Sequence, residues 1–543
     1  MRPGGRRRRL LPVVALSIPL TLSACAPASP SPGGRASPSG GLVVITAGGS
    51  ALVDGQADVP PTLDLRVSAS ESLSPAAVAA RLDGAPLGLA QAAGGAVTAS
   101  VRAMPLGSAH SLDLTVPGRS AERIGFHVVP PAGAMAALHA DSRDGAVLDV
   151  ALQFAPDHRA VEAALPRGAA VSWPDGSHLR ATWRTAPGGS FSLPPGLPVA
   201  RGSHLAAGLS LDLGAVPEGT VRSAVEPATA ALGSAPLVVA FTVGTARSRA
   251  SLAAHWSQIS LVSPTGISVG ADGSLHGSPD AAALSTAGDH GLPVWPLIQN
   301  DASDSAAISA LLENGAAVGR FVAAARRVAA GGGFPGLHLD IEGVPAKDRA
   351  QLSALITALA AGLHADGRKL AVAVVPHKPG HLNVYSAAYD MGVISGAADL
   401  VTLMAYDEHT SLTGPGAVAG LAWDRQVLGG SLPEMHSTTT ALLGLPLYAR
   451  TWDADGAHAD SYAASLAAAL STHGARVDYD FNAATPFVHS ADGLSTTYFD
   501  DASSLSAKLA LVGSQHLRGI ALWRLGFEDP ALWAALPANP PRP

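Results

Sequence analysis

From residue 236 to the end of the chain, eight apolar runs alternate with helical patterns, and few folds accept that order. The runs occupy 236–244 ("PLVVAFTVG"), 259–269, 292–300, 336–344 ("GLHLDIEGV"), 369–377, 399–407 ("DLVTLMAYD"), 440–449 and 518–526. After the fourth, Leu352, Leu355, Ile356, Leu359 and Leu363 make the i, i+3, i+4, i+7 stripe of an amphipathic helix. Eight strands, most followed by helices, predict a (β/α)8 TIM barrel over 235–535. The interval from 453 to 517 is too long for one crossover. It holds a helical stretch (461–470) and strand-like pieces ("ARVDYDF", "TPFVHS", "STTYFD"), which predicts a small α+β insertion between strands seven and eight.

Residues 41 to about 215 follow another rule. Short alternating runs such as "TLDLRVSA", "SLDLTVPG" and "VLDVALQFA" are separated by Gly and Pro turns, the pattern of β-sandwiches. The order "LDVALQFAPDHRAVEAALP", "VSWPDGSHLRATW", "LPPGLPVARGSHLAAGLSLDLG" resembles a family of bacterial Ig-like modules. The expectation is therefore a multidomain chain, with an all-β sandwich of possible Ig-like type over 41–130 and an Ig-like domain over 131–220, preceding the barrel as a spacer.

The first 24 residues have a basic head (Arg2, Arg6 to Arg9) and an apolar stretch of about a dozen residues, too short for a spanning helix. They end in Leu22-Ser23-Ala24-Cys25, which resembles a lipobox. The chain has one cysteine and it stands there. This predicts a lipoprotein signal over 1–24, a lipidated Cys25 and a Pro/Ser-rich tether over 25–40. The protein would be exported and lipid-anchored to the outer face of a bacterial cytoplasmic membrane, with no disulfides in its body. The formal net charge is −7, and loss of the basic head makes it more negative. Nucleic acid is thus not an expected partner, and membrane contact is expected through the lipid alone.

The site is sought at the C-terminal ends of the barrel strands. In "GLHLDIEGV" a two-residue period puts His338, Asp340 and Glu342 on one face, toward the barrel top, and Leu337, Leu339 and Ile341 against the helices. Two carboxylates in an apolar run suit acid–base work, although a solvated, salt-bridged strand end would read the same. Strand six adds Tyr406 and Asp407, with Glu408 and His409 beyond. Strand three ends at Asn300, strand five at His377, and strand eight carries Trp523 and Arg524. Aromatic rings beside acids suit a sugar, whose ring stacks on indole and whose hydroxyls pair with carboxylates.

"GLHLDIEGV" is similar to the D-x-x-D-x-D-x-E strand of family 18 glycoside hydrolases, "LMAYDEH" to their M-x-Y-D strand and "GIALWRLGFEDP" to their terminal Trp strand. With "GLPLYAR" and Trp423 in "GLAWDRQVL", the chain resembles more specifically the branch of bacterial spore-cortex-lytic and peptidoglycan N-acetylglucosaminidases. The resemblance implies cleavage of β-linked N-acetylglucosamine polymers, peptidoglycan before chitin, by a retaining, substrate-assisted reaction. It implies Glu342 as proton donor, Asp340 and Asp407 as supports of the acetamido group, and Tyr406 as its hydrogen-bond partner. Trp523 would floor the sugar, with His338, Asn300, His377, Trp423 and Arg524 as further substrate contacts. No metal or organic cofactor is implied, and a monomer is expected. The other reading is a non-catalytic glycan-binding protein on the same barrel. Pro335 and His338 stand where the family pattern has acids; a His at 338 is expected to hydrogen-bond Asp340 or to hold it ionised.

Overall fold

The computed structural model describes residues 43–45, 51–226 and 236–543. The expected signal segment and tether, with Cys25, lie outside them. Of the described residues, 43–45, 51–54, 63–101 and 111–124 form one compact unit, and 55–62, 102–110, 125–226 and 236–543 a second.

The first unit is all-β. An antiparallel sheet runs Val43–Ile45, Leu63–Ser68, Ala96–Val101, Ala90–Ala92. In "LDLRVS" alternation buries Leu63, Leu65 and Val67 and turns the intervening residues outward.

In the second unit eight parallel strands make the barrel: β1 Leu237–Thr242, β2 Leu261–Pro264, β3 Leu297–Gln299, β4 Gly336–Asp340, β5 Lys369–Val374, β6 Leu400–Leu403, β7 Ala441–Pro446 and β8 Gly519–Trp523. Each pairs with the next from β3 to β8, β8 pairs with β1, and β1 with β2. The ring closes where Val262 bridges Val294, just before β3. A hairpin, Ile267–Val269 with Leu275–Gly277, follows β2. Burial on both faces accounts for the unbroken apolar runs in these strands. The helix Arg349–Ala365 turns Leu352, Leu355, Ile356, Leu359 and Leu363 onto Leu337, Leu339 and Ile341 of the strand-four segment. Helix starts are set by side chains that take up free backbone N–H groups: Thr245, Asp304, Asn314, Asp390 and, with a reciprocal bond from Ser504, Asp501.

The α+β insertion is a five-stranded antiparallel sheet (Tyr448–Asp453, Gly456–Ser461, Arg476–Asp480, Thr485–His489, Thr496–Tyr498) with the helix Tyr462–Leu470. A single residue, Leu447, separates its first strand from the end of β7, so the sequence shows no loop between them. The next helix, Ala502–Ser514, packs on β7 and β8 and serves the barrel.

Of the region expected as a spacer, residues 134–226 are docked on the insertion. Strands Ala134–Asp141, Gly145–Leu152, Ala170–Ser172, His178–Trp183 and Val221–Glu226 form one sheet. One face, including Ala136, Leu138, Leu148, Val150 and Leu179, packs on a hairpin of Ser190–Leu193 and Leu209–Asp212. The other face, with Met135, Ala137 and Ala151, packs on Tyr462, Leu466, Val477 and Phe499 of the insertion. Burial on both sides is why "AMAALHAD" reads as a nearly continuous apolar run.

Polar pins complete this contact. The Val477 N–H donates to Asp149 (3.0 Å), and Arg180 donates to the Ala475 carbonyl (2.8 Å). His178 Nε2 lies 2.9 Å from Asp478 Oδ1, and its Nδ1 2.8 Å from Asp175. The hydrogen bond to Asp478 raises the His178 pKa, more than burial lowers it. Burial would raise Asp478, but the His178 hydrogen bond and charge, the Tyr479 N–H and the Arg476 charge together outweigh it and hold that carboxyl low. The His178 contribution is therefore complete below its unfolded value, about 6.5, and disappears as pH rises through its folded value. The Asp478 contribution is present at neutral pH and disappears in acid. His178→Gln is expected to lower unfolding stability by about 1 kcal/mol at pH 6, with a smaller difference at pH 9. Thermal melts of both proteins across that range check it; a difference that grows with pH contradicts it.

Candidate active site

Strand β4 ends at Asp340, and Glu342 stands two residues beyond. The turn between them is held from two sides. The Asn300 side chain, from the end of β3, accepts from the Glu342 N–H (2.8 Å) and donates to the Glu342 carbonyl (2.9 Å). The Tyr389 hydroxyl donates to the Ile341 carbonyl (2.8 Å) from a fully buried position. Gly343 then takes φ +67°, and a Cβ there would lie 2.2 Å from the Ala302 carbonyl oxygen, so this position needs glycine. Both peptides that fix the Glu342 direction are thus tied to the scaffold.

A cleft of about 410 Å³ opens over this turn, lined by Glu342, Tyr406, Asp407, Trp423, Lys378 and Tyr385 among others. Asp407 has left-handed backbone (φ +63°), which Asp tolerates better than most residues. Its carboxylate accepts from the Tyr448 hydroxyl and from Arg450 Nη2 (2.8 Å). Tyr406 packs edge-on to Tyr448, with ring centroids 6.4 Å apart. Gly444 on β7 makes room for it, since a Cβ there would come within 3.0 Å of the Tyr406 ring.

Electrostatics in the site follow from burial. Glu342 has a raised pKa, first because it is desolvated and then because of the Asp407 charge. Asp340 is buried and also raised, by desolvation first and then by Glu342. Its Oδ1 is buried with no hydrogen-bond partner in the protein. Two neighbouring carboxyls that both resist ionisation can hold and release a proton near neutral pH. A low-pH form of Glu342 is the one able to donate, so activity resting on it falls as pH rises through its pKa. Asp407→Asn removes the second cause of that raised value. The alkaline limb of the residual activity is then expected to move toward lower pH, which rate–pH profiles of the two proteins would show; an unmoved limb contradicts the coupling.

His338 does not meet Asp340. Its ring is fully buried inside the barrel, with Nδ1 3.3 Å from the Ser263 hydroxyl and Nε2 3.3 Å from that of Thr402. Burial lowers its pKa to about 3, so it is neutral and cannot hold Asp340 ionised. Ser263, His338 and Thr402 come from β2, β4 and β6, alternate strands that contribute one interior layer. Phe241 on β1 bridges this layer to Trp523, with centroids 5.0 Å from His338 and 5.3 Å from Trp523. The charge that acts on Glu342 is Asp407's, from across the cleft.

The structure therefore brings Glu342, Asp340, Tyr406, Asp407 and Trp423 together, with Trp523 partly buried at the end of β8. Asn300 acts on the Glu342 peptide. His377 is buried outside the cleft lining, between Glu434 (2.9 Å) and the Ser386 carbonyl (3.1 Å). Arg524 lies with its guanidinium carbon 3.8 Å from the Phe527 ring centroid, also outside that lining. Tyr389, Tyr448 and Arg450 were not anticipated as site residues. The last two sit in "GLPLYAR", whose position after β7 was the available signal.

Comparison with known proteins agrees with this geometry. A model of the family described as "Glycosyl hydrolases family 18" matches residues 265–528. The chain is 28% identical over 213 residues to the cortical fragment-lytic enzyme of Bacillus subtilis (strain 168), covering 38% of this chain and 49% of that protein. It is 23% identical over 314 residues to the uncharacterized glycosylase YvbX of the same organism, covering 56% and 91%. The chain thus spans about half the length of the first relative. A chitinase structure from Chromobacterium violaceum ATCC 12472 superposes with a TM-score of 0.52 at 29% identity, covering 55% of this chain and 98% of that one. The barrel, with the strand ends that carry Asp340, Glu342, Tyr406 and Asp407, is a glycosyl hydrolase family 18 domain.

Proposed function

We propose that the protein is an exported glycosidase that cleaves β-linked N-acetylglucosamine polymers, peptidoglycan before chitin, with retention. The observation that carries this reading is the pairing of two raised carboxyls, buried Asp340 and half-buried Glu342, at a cleft walled by Tyr406, Asp407 and Trp423. A relative named for cortical fragments supports the choice of peptidoglycan. In the proposed reaction Glu342 protonates the glycosidic oxygen, and the substrate's acetamido oxygen attacks the anomeric carbon. The N–H of that acetamide bonds Asp340, its oxygen takes the Tyr406 hydroxyl, and Asp407, anchored by Arg450, stabilises the developing positive charge. Glu342, now a base, activates water to open the cyclic intermediate. Export and attachment through Cys25 complete the proposal and would place the enzyme against the cell wall.

The test is release of reducing ends from purified peptidoglycan and from chitin oligomers, with products identified by mass spectrometry. Release with retained anomeric configuration is expected. Saturable binding to either glycan without any release would instead favour the non-catalytic reading.

A further inference from the structure

We propose that Lys378 makes the cleft selective for a carboxylated glycan by receiving a carboxylate of the substrate; the inference rests on the glycosidase reading above. Among the described residues lining the cleft, Lys378 is the one lysine or arginine, in a chain whose net charge is −7. It is half-buried, and its ammonium lies 5.8 Å from the centroid of the Trp423 ring, which also lines the cleft. It has no ion-pair partner among the described residues. Glu408, an acid that feels its charge, already accepts the Gly420 N–H (2.8 Å).

The wall that carries Lys378 is built rather than loose. The His377 backbone N–H donates to the Ser431 hydroxyl (2.9 Å), and the His377 Nε2 meets the Ser386 carbonyl at the far end of the same loop. Asn383 accepts from the N–H groups of Tyr385 and Ser386 (both 2.9 Å), and Lys378 bridges His381. The helix Leu421–Ser431 approaches so closely that a Cβ on Gly430 would lie 2.3 Å from the His377 carbonyl oxygen. The fixed wall sets where the stem of Lys378 starts, and a charged partner for a half-buried ammonium is worth more than one at an open surface. A neutral N-acetylglucosamine polymer offers this ammonium only uncharged hydroxyl and carbonyl oxygens. A glycan whose alternate sugars bear a lactyl ether offers a carboxylate, either on the lactyl group itself or on an attached stem peptide.

The experiment measures affinity by calorimetry in the Glu342→Gln background, where no substrate is consumed. Four soluble probes are used: a peptide-free tetrasaccharide of alternating N-acetylglucosamine and N-acetylmuramic acid, its methyl ester, the same strand carrying stem peptides, and chitotetraose. The carboxylated strand is expected to bind about tenfold more tightly than its uncharged counterparts, and adding Lys378→Met should bring that ratio to about one. Lys378→Arg should keep most of it, which separates charge from folding. Preference for the peptide-free acid over its ester assigns the lactyl carboxylate; preference confined to the peptide-bearing strand assigns the stem. A ratio near one in the parent, or one that Lys378→Met leaves in place, overturns the proposal. Binding to none of the four probes would overturn the glycan reading itself, and this proposal with it.

Discussion

Glu342→Gln is expected to lower kcat on its glycan by about a thousandfold or more, at unchanged fold. The substitution keeps size and shape but removes the only proton this side chain can give up. Its backbone anchors are untouched, because Asn300 grips the peptide of residue 342 and not its side chain. Glu342 has a raised pKa because burial and the Asp407 charge oppose its ionisation, so replacing it with a neutral amide relieves a native-state penalty. The variant should melt no lower than the parent. Initial rates with matched melting curves check both halves, and turnover within tenfold of the parent would falsify the assignment of Glu342.

Asp340→Asn is expected to have the next largest effect, a loss of about a hundredfold to a thousandfold in kcat. An unpartnered acceptor this deeply buried carries a penalty of about 1–3 kcal/mol and persists where function requires it. Under the proposed reaction its partner is the acetamido N–H, which becomes more acidic as the ring forms. Asn presents an amide that can at best offer a neutral oxygen, so stabilisation of that N–H weakens most in the transition state. KM should change less than kcat. The ionised carboxylate is disfavoured by burial and by Glu342, so the amide should raise the melting temperature. A parent-like kcat, or a loss confined to KM, would remove Asp340 from the chemistry.

The prominence of strand four in the sequence has a simple cause. A side-chain period of two separates Leu337, Leu339 and Ile341 from His338, Asp340 and Glu342, and the structure keeps that division. The same rule misled for His338. It states which face a residue occupies, not at what depth, and one layer down the neighbours are Ser263 and Thr402 rather than Asp340. His377 and Arg524 show the same limit: each follows a strand end, but loop packing turns His377 toward Glu434 and Arg524 onto Phe527. Trp423 reached the cleft from a helix, and it was visible beforehand only through the motif around it.

Tyr389, Tyr448 and Arg450 mark the other boundary. Tyr389 lies 48 positions from the carbonyl it holds, and Arg450 lies 43 from Asp407. No local pattern encodes a pairing over such separations.

Local periodicity by itself determined the barrel: strands buried on both faces and helices with one apolar stripe have few ways to close. It also determined which strand ends carry acids, since alternation is a property of the chain. Tertiary structure decided what those acids experience. Desolvation, the charge of Asp407 anchored by Arg450, the neutral state of His338 and the docking of the β-module on the insertion all depend on groups brought together from distant segments. Electrostatic energies are set by distance and burial in space, and neither is written in the spacing of residues along the chain.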